Sequence, residues 1–111
     1  MVNEQLLKKY IPMTETAFYI LLSLIEPRHG YGIIKNVEKM TNSRIKLGSG
    51  TVYGTLAKMQ KDGLITVFAD GDRKTVYEIC ESGKQVISAE MERLKELYSN
   101  ALKYKGEFLC E

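Results

Sequence analysis

The fold turns on residues 49–79, which read Ser49-Gly-Thr-Val-Tyr-Gly-Thr-Leu-Ala-Lys-Met-Gln-Lys-Asp62-Gly63-Leu-Ile-Thr-Val-Phe68-Ala-Asp70-Gly-Asp-Arg-Lys-Thr75-Val-Tyr-Glu-Ile79. In the first half Val52, Leu56 and Met59 recur at i, i+4 and i+7, the period of a helix with one buried stripe. Ser49 is the expected N-cap and Gly63 the left-handed residue that closes the turn, which predicts a helix over 50–62. The period then drops to two. Leu64–Phe68 and Thr75–Ile79 are rich in β-branched and aromatic residues, and Asp70-Gly71-Asp72 between them is a turn. Together they predict a hairpin with Arg73 and Lys74 just past its tip.

Working outward, residues 4–10 predict a short helical turn ended by Pro12. Thr14 is an N-cap with Glu15 in the first turn, where negative charge suits the helix dipole. Ala17 to Ile25 is apolar on almost every side, which predicts a helix buried all round and stopped by Pro27. Gly30 and Gly32 open a further helix. Its Ile33, Ile34, Val37 and Met40 fall at helical spacing, with Lys35, Asn36, Glu38 and Lys39 facing outward. Thr41–Leu47 is polar and basic, as suits a connection. Beyond the hairpin, Ser82 is the expected cap of a last helix over about 83–104. There Ile87, Met91, Leu94, Tyr98 and Ala101 step by four and three, and Val86, Leu97 and Leu102 flank them.

Three compact helices, a hairpin and one long helix define a mostly α (α+β) fold, the winged helix-turn-helix. The expected division is a winged-helix unit with its N-terminal helix at 1–82 and a C-terminal dimerisation helix at 83–111, forming one compact whole. In such a fold the helix at 50–62 enters the major groove of duplex DNA and the hairpin, or wing, straddles the backbone. A helix of about 20 residues spans about 30 Å, longer than three short helices can cover. An apolar seam left over in this way points to association of two copies. The residues expected at that contact are Ile87, Met91, Leu94, Tyr98 and Ala101.

The chain has 111 residues and a formal net charge of +2. Between Arg28 and Lys74 nine basic side chains stand against four acidic, an excess of five, while the remainder carries seven basic against ten acidic. A basic middle on an acidic frame suits a polyanion. The longest apolar run, Ala17–Ile25, is too short for a bilayer, and the first residues lack a signal pattern. The expected location is cytoplasmic. Cys80 and Cys110 fit no zinc spacing and are expected as plain thiols, without metal or cofactor. With His29 the only histidine, no His-based triad can be assembled, and no catalytic constellation is present.

The residues expected to meet DNA lie on one side of this frame. Thr51, Gly54, Thr55, Lys58 and Asp62 form a stripe turned away from Val52, Leu56 and Met59. The two threonines are short donors, and a glycine on an exposed stripe suits the close approach of a base edge or phosphate. Two readings of Gly54 stand at this point, the other being tight packing of a second helix. Tyr53 either places its hydroxyl on a phosphate or half-buries its ring against the wing. Ser49 and the free N–H groups after it suit a phosphate. Arg73 and Lys74 on the wing suit phosphates or a narrow minor groove, and Arg44 and Lys46 flank the same face. A second class of function fits the same fold: a winged helix used for protein interaction or ligand sensing without DNA. The stripe of Thr51, Gly54 and Lys58 argues against it.

The sequence resembles the PadR family of transcriptional regulators, specifically its small members. The likeness runs from about Thr14 to Tyr98 and rests on His29-Gly30-Tyr31-Gly32-Ile33, Gly50-Thr51-Val52-Tyr53 with Leu56, Lys58 and Met59, Asp62-Gly63-Leu64-Ile65, Arg73-Lys74 before Val76-Tyr77, and Ser82-Gly83. The resemblance implies a homodimeric regulator, commonly a repressor, with DNA contacts at Thr51, Tyr53, Lys58, Arg73 and Lys74. It also implies dimerisation through the C-terminal helix and the partner's N-terminal helix. Some small members hold flat aromatic or drug-like effectors at the dimer centre against a tryptophan, and this chain has no Trp. Met13, Met91, Leu94 and Tyr98 are the residues left to line such a pocket or, alternatively, the dimer core.

Overall fold

A computed structural model describes residues 3–108. The elements run α1 (Glu4–Tyr10), α2 (Glu15–Ser23), β1 (Arg28–His29), α3 (Gly30–Met40), α4 (Ser49–Lys61), β2 (Ile65–Asp70), β3 (Thr75–Ile79), α5 (Glu81–Leu102) and α6 (Lys105–Phe108). The three strands form one antiparallel sheet in the order β1-β3-β2. This is the winged helix-turn-helix expected from the sequence. Cys110 lies outside the described residues.

The core forms where the apolar stripes of α2, α3 and α4 converge on the base of the hairpin. Ile20, Leu21 and Leu24 meet Ile33 and Val37, then Val52, Leu56 and Met59, with Leu64, Ile65, Val86 and Ile87 closing one side. Each is nearly or fully withdrawn from water, so burial of apolar area is the main force holding α4 in place. Local signals set the ends of the elements. Thr14 caps α2 by accepting from the Ala17 N–H at 3.1 Å. Gly63, at φ 81°, supplies the left-handed residue after α4.

Several expectations are corrected. The N-cap of α4 is Gly48, in extended conformation and with no side-chain bond, while Ser49 is the first helical residue. The cap of α5 is Cys80, because its N–H is still tied to the Leu64 carbonyl at 2.8 Å in a sheet-like contact. Ser82 instead donates its hydroxyl to the Gly63 carbonyl at 2.7 Å, satisfying backbone left open where α4 ends. Helix α2 ends at Ser23, well before Pro27, where the Arg28 side chain donates to the Ser23 carbonyl at 2.8 Å. Its burial is also uneven: Phe18, Tyr19 and Leu22 are half-buried and Ile25 is exposed. Met40 is exposed rather than inward, because Val37 is the last residue of α3 that reaches the core.

Strand β1 had no periodic signal. It is two residues long and exists because Arg28 and His29 pair with Tyr77 and Val76 of β3. The wing carries a register shift between Val67 and Ala69, which leaves Phe68 as the extra residue on β2.

Helix α5 changes partner along its length. Its first three turns pack on the chain's own core through Gly83, Val86, Ile87 and Glu90. The expected contact residue Ile87 is thus only 5% exposed and belongs to the core. Beyond Glu90 no residue of α5 is buried; α5 borders α2 as far as Leu94 and then leaves the domain, and Met91, Leu94, Leu97, Tyr98 and Leu102 stand exposed. At about 1.5 Å per residue, its 22 residues extend about 33 Å, the longest single reach in a molecule of 56 × 35 × 20 Å.

Candidate nucleic-acid interface

Helix α4 is anchored through Val52, Leu56 and Met59, and its outer surface follows from that anchor. At about 100° per residue, the side diametrically opposite these three is Gly50, Gly54, Ala57 and Lys61, all exposed. A Cβ added at Gly50 or Gly54 would meet nothing within 4 Å, so tight packing of another helix of this chain is not what Gly54 serves. The outermost stripe therefore carries almost no bulk and ends in one cation.

Thr51, Thr55 and Lys58 form one flank of that stripe, on the side of α1. Thr51 and Lys58 are exposed and Thr55 is half-buried. The Lys58 ammonium lies 5.5 Å from the centre of the Tyr10 ring, a cation–π distance that aims the side chain along the helix edge. Asp62 does not belong on this exposed surface. Its carboxylate accepts from the Tyr10 hydroxyl at 2.6 Å and from Lys9 at 2.9 Å, with the side chain only 12% exposed. These donors hold the Asp62 carboxyl below its ordinary value, the tyrosine bond first.

Tyr53 forms the other flank. Half of it is exposed, and its ring lies across the start of α3, where a Cβ on Gly30 would come within 2.5 Å of Tyr53 Cζ and Oη. Only glycine admits the ring at that position. The ring and the wing residues Arg73, Lys74 and Thr75 line a common cleft of about 420 Å³. The ring is thus half-covered by the start of α3 rather than by the wing, and Tyr53 borders an open cleft.

The remaining predicted residues divide. Lys46, Ser49, Arg73 and Lys74 are exposed. Arg44 is exposed too, but its guanidinium makes a paired contact with Glu15 on α2, at 3.2 and 2.5 Å. The pairing holds the Glu15 carboxyl low and the Arg44 guanidinium high, so Arg44 is committed to its own chain. Among the described residues, no group of three or more His, Cys, Asp or Glu side chains is placed to hold a metal. No helix among them is long and apolar enough to cross a membrane.

The four residues expected around an effector do not come together. Met13 and Leu94 share a cleft of about 280 Å³ between α2 and α5, with Phe18 and Tyr19 in its wall. Tyr98 lines a different hollow with Ala101, Leu102 and Phe108. Met91 is exposed on α5. Phe18 and Tyr19 meet edge to face with centroids 6.0 Å apart. Sequence reasoning missed this pair because both residues sit in a run that looked uniformly apolar.

An α4 anchored on one face, with a small outer surface that ends in Lys61, and a wing beside it that carries Arg73 and Lys74 are the parts of a winged-helix domain. The chain belongs to the PadR-like family of transcriptional regulators, whose pattern it matches over residues 20–89. Transcriptional regulator YqjI of Escherichia coli (strain K12) is 30% identical over 67 residues, covering 60% of this chain and 32% of that protein. The chain thus spans about a third of the length of that curated relative. Among solved structures, a transcriptional regulator from Clostridium thermocellum superposes with a TM-score of 0.70 at 24% identity, covering 90% of this chain and 97% of the other. A PadR family transcriptional regulator from Eggerthella lenta gives 0.66 at 18% identity, covering 96% and 89%. These similarities share one fold, and the family is one of regulators rather than enzymes.

Proposed function

We propose that this protein is a sequence-specific DNA-binding regulator that acts in the cytoplasm as a homodimer and represses transcription until a small aromatic or drug-like effector releases it. The observation that carries the reading is the outer surface of α4. Gly50, Gly54 and Ala57 face away from the core with open space beyond the two glycines, and Lys58, Lys61, Arg73 and Lys74 surround them. A helix that lacks side-chain bulk on its outermost stripe can settle deep in a major groove, where Thr51 and Thr55 reach base edges or phosphates. The cations fix register on the backbone.

Dimerisation is supported by the second half of α5. Met91, Leu94, Leu97, Tyr98 and Leu102 are each at least 39% exposed, and a contiguous apolar face of this kind in water favours pairing. Two-fold pairing would place two copies of α4 on successive half-sites about one helical turn apart. Residues 1–82 then act as the reading unit and residues 83–111 as the pairing unit. The cleft of Met13, Phe18, Tyr19 and Leu94 lies where α2 meets α5. An effector seated there would bear on the angle between the reading and pairing units, a two-state change of the hinge kind.

The test is a titration of labelled duplex carrying the DNA upstream of the protein's own coding sequence, against a scrambled duplex of equal composition. The wild type is expected to prefer the former. Lys58→Ala and the double variant Arg73→Ala/Lys74→Ala are expected to bind both more weakly. Equal affinity for both duplexes, unchanged in the variants, would remove the reading.

A further inference from the structure

We infer that the cleft between the start of α3, Tyr53 and the wing is the seat of one backbone phosphate of duplex DNA, with His29 as an obligatory hydrogen-bond donor within it. The inference rests on the DNA reading above and adds a residue and a ligand atom to it. His29 sits on β1, paired with Val76 of the wing strand β3, and it is the N-cap of α3: its Nδ1 accepts from the Gly32 N–H at 3.0 Å. A ring nitrogen that accepts in this way carries no hydrogen, so the ring's hydrogen sits on Nε2. Among the described residues no acceptor takes that hydrogen. The ring is further held by Tyr31, stacked at 6.5 Å and 10°, and Tyr31 in turn lies under the Lys35 ammonium at 5.3 Å.

The lining of the cleft tells what it takes. The lining residues His29, Tyr31, Tyr53, Arg73, Lys74, Thr75 and Tyr77 each carry an N–H or O–H group, and no carboxylate is among them. An apolar ligand would strand these donors and a cation would find no anionic partner, so the matching ligand is an anion rich in acceptors. A phosphate is such a ligand. The cleft lies between α4 and the wing, the two elements proposed to straddle a duplex, so a phosphodiester on the strand passing between them is the source favoured over a free ion.

Two conservative variants isolate the donors. His29→Asn keeps a favoured cap whose oxygen accepts from the Gly32 N–H, yet loses the distal donor. Tyr53→Phe keeps the ring over Gly30 and loses the hydroxyl. Each is expected to keep the wild-type melting temperature and to bind the upstream duplex about a hundredfold more weakly, the loss of one hydrogen bond to a charged group, worth about tenfold, in each of the two copies. On duplexes carrying a single uncharged methylphosphonate, moved one position at a time, one position per half-site should remove about half of the His29→Asn penalty, and the two substitutions together should abolish it. Wild-type affinity in His29→Asn and Tyr53→Phe, with Arg73→Ala/Lys74→Ala still impaired, would overturn the cleft while leaving the DNA reading intact. Inorganic phosphate that stabilises the wild type but not His29→Asn, with duplex affinity equal in both, would assign the cleft to a free anion and overturn the duplex source. No duplex binding by the wild type would end both readings together.

Discussion

The Tyr10 hydroxyl donates a 2.6 Å hydrogen bond to Asp62 Oδ2 and so joins the last residue of α1 to the residue that closes α4. Tyr10 is 8% exposed, and the same ring lies under Lys58. The C-terminal end of the helix proposed to read DNA is thereby oriented by the first helix of the chain.

Tyr10→Phe is expected to cost about 1–2 kcal/mol, the loss of a hydrogen bond to a charged acceptor that keeps Lys9 as a partner. Denaturant unfolding measures it. The pH dependence gives a second signature. Burial, then the bond to Asp62, raises the Tyr10 hydroxyl well above its ordinary 10. The native state therefore holds that proton longer than the unfolded chain does, and stability falls as pH rises beyond 10. Asp62 is shifted the other way, so its contribution is present above the ordinary 3.8 and is lost as pH falls below it. Tyr10→Phe should lose the alkaline slope and shrink the acid one.

Glu90 is 1% exposed and accepts from Arg93 Nε at 2.8 Å, Arg93 Nη2 at 2.7 Å and the Met13 N–H at 3.2 Å. It pins the α1–α2 connection to α5. Arg93, then the Met13 N–H, holds its carboxyl below the ordinary 4.5, against the opposing effect of burial. Its contribution is therefore complete above pH 4.5 and disappears with acid. Glu90→Ala is expected to cost about 2–3 kcal/mol at neutral pH, less than a fully buried pair because the Arg93 side chain is 30% exposed. A melt at pH 7 and at pH 3 should show a large gap between variant and wild type in the first and a small one in the second.

Gly30→Ala pushes a methyl into the outer end of the half-exposed Tyr53 ring, which must swing aside, and is expected to destabilise by about 1 kcal/mol, the low end of overpacking. Tyr53→Ala in the same chain should relieve most of that cost, so a double-mutant cycle should show strong coupling. Additive costs would contradict the contact.

Gly54→Ala separates stability from binding. Its Cβ enters open space in mid-helix, so the variant is expected to gain about 0.5–1 kcal/mol. The same methyl stands on the stripe proposed to meet the groove, and duplex affinity should fall. A gain in melting temperature without loss of binding would place the groove elsewhere.

Much of the fold was legible because local rules and tertiary packing agree. The i, i+4, i+7 stripe of Val52, Leu56 and Met59, the β-branched and aromatic content of Thr75–Ile79 and the left-handed Gly63 each act through neighbours in sequence, although burial along β3 does not alternate. What was not legible depended on distant partners. Ser49 and Ser82 look like caps, but the helices start where Gly48 and Cys80 leave an extended backbone. Strand β1 owes its existence to β3. The seam through Ile87, Met91 and Leu94 is continuous in sequence, yet its first residue faces the chain's own core and its later ones face water. The outward stripe of α4 was read about a quarter turn from its true position. Counting from the centre of the buried face, rather than from its edge, would have found Gly50, Ala57 and Lys61.

The most direct test of the central claim is the salt dependence of duplex affinity. Each phosphate contact contributes about 0.9 to the slope of log K against log salt concentration. Removing Arg73 and Lys74 from both copies of a dimer should therefore lower the slope by about 3–4, together with a loss of affinity at low salt. A slope identical to that of the wild type would mean that the wing does not touch the backbone, and would contradict the account.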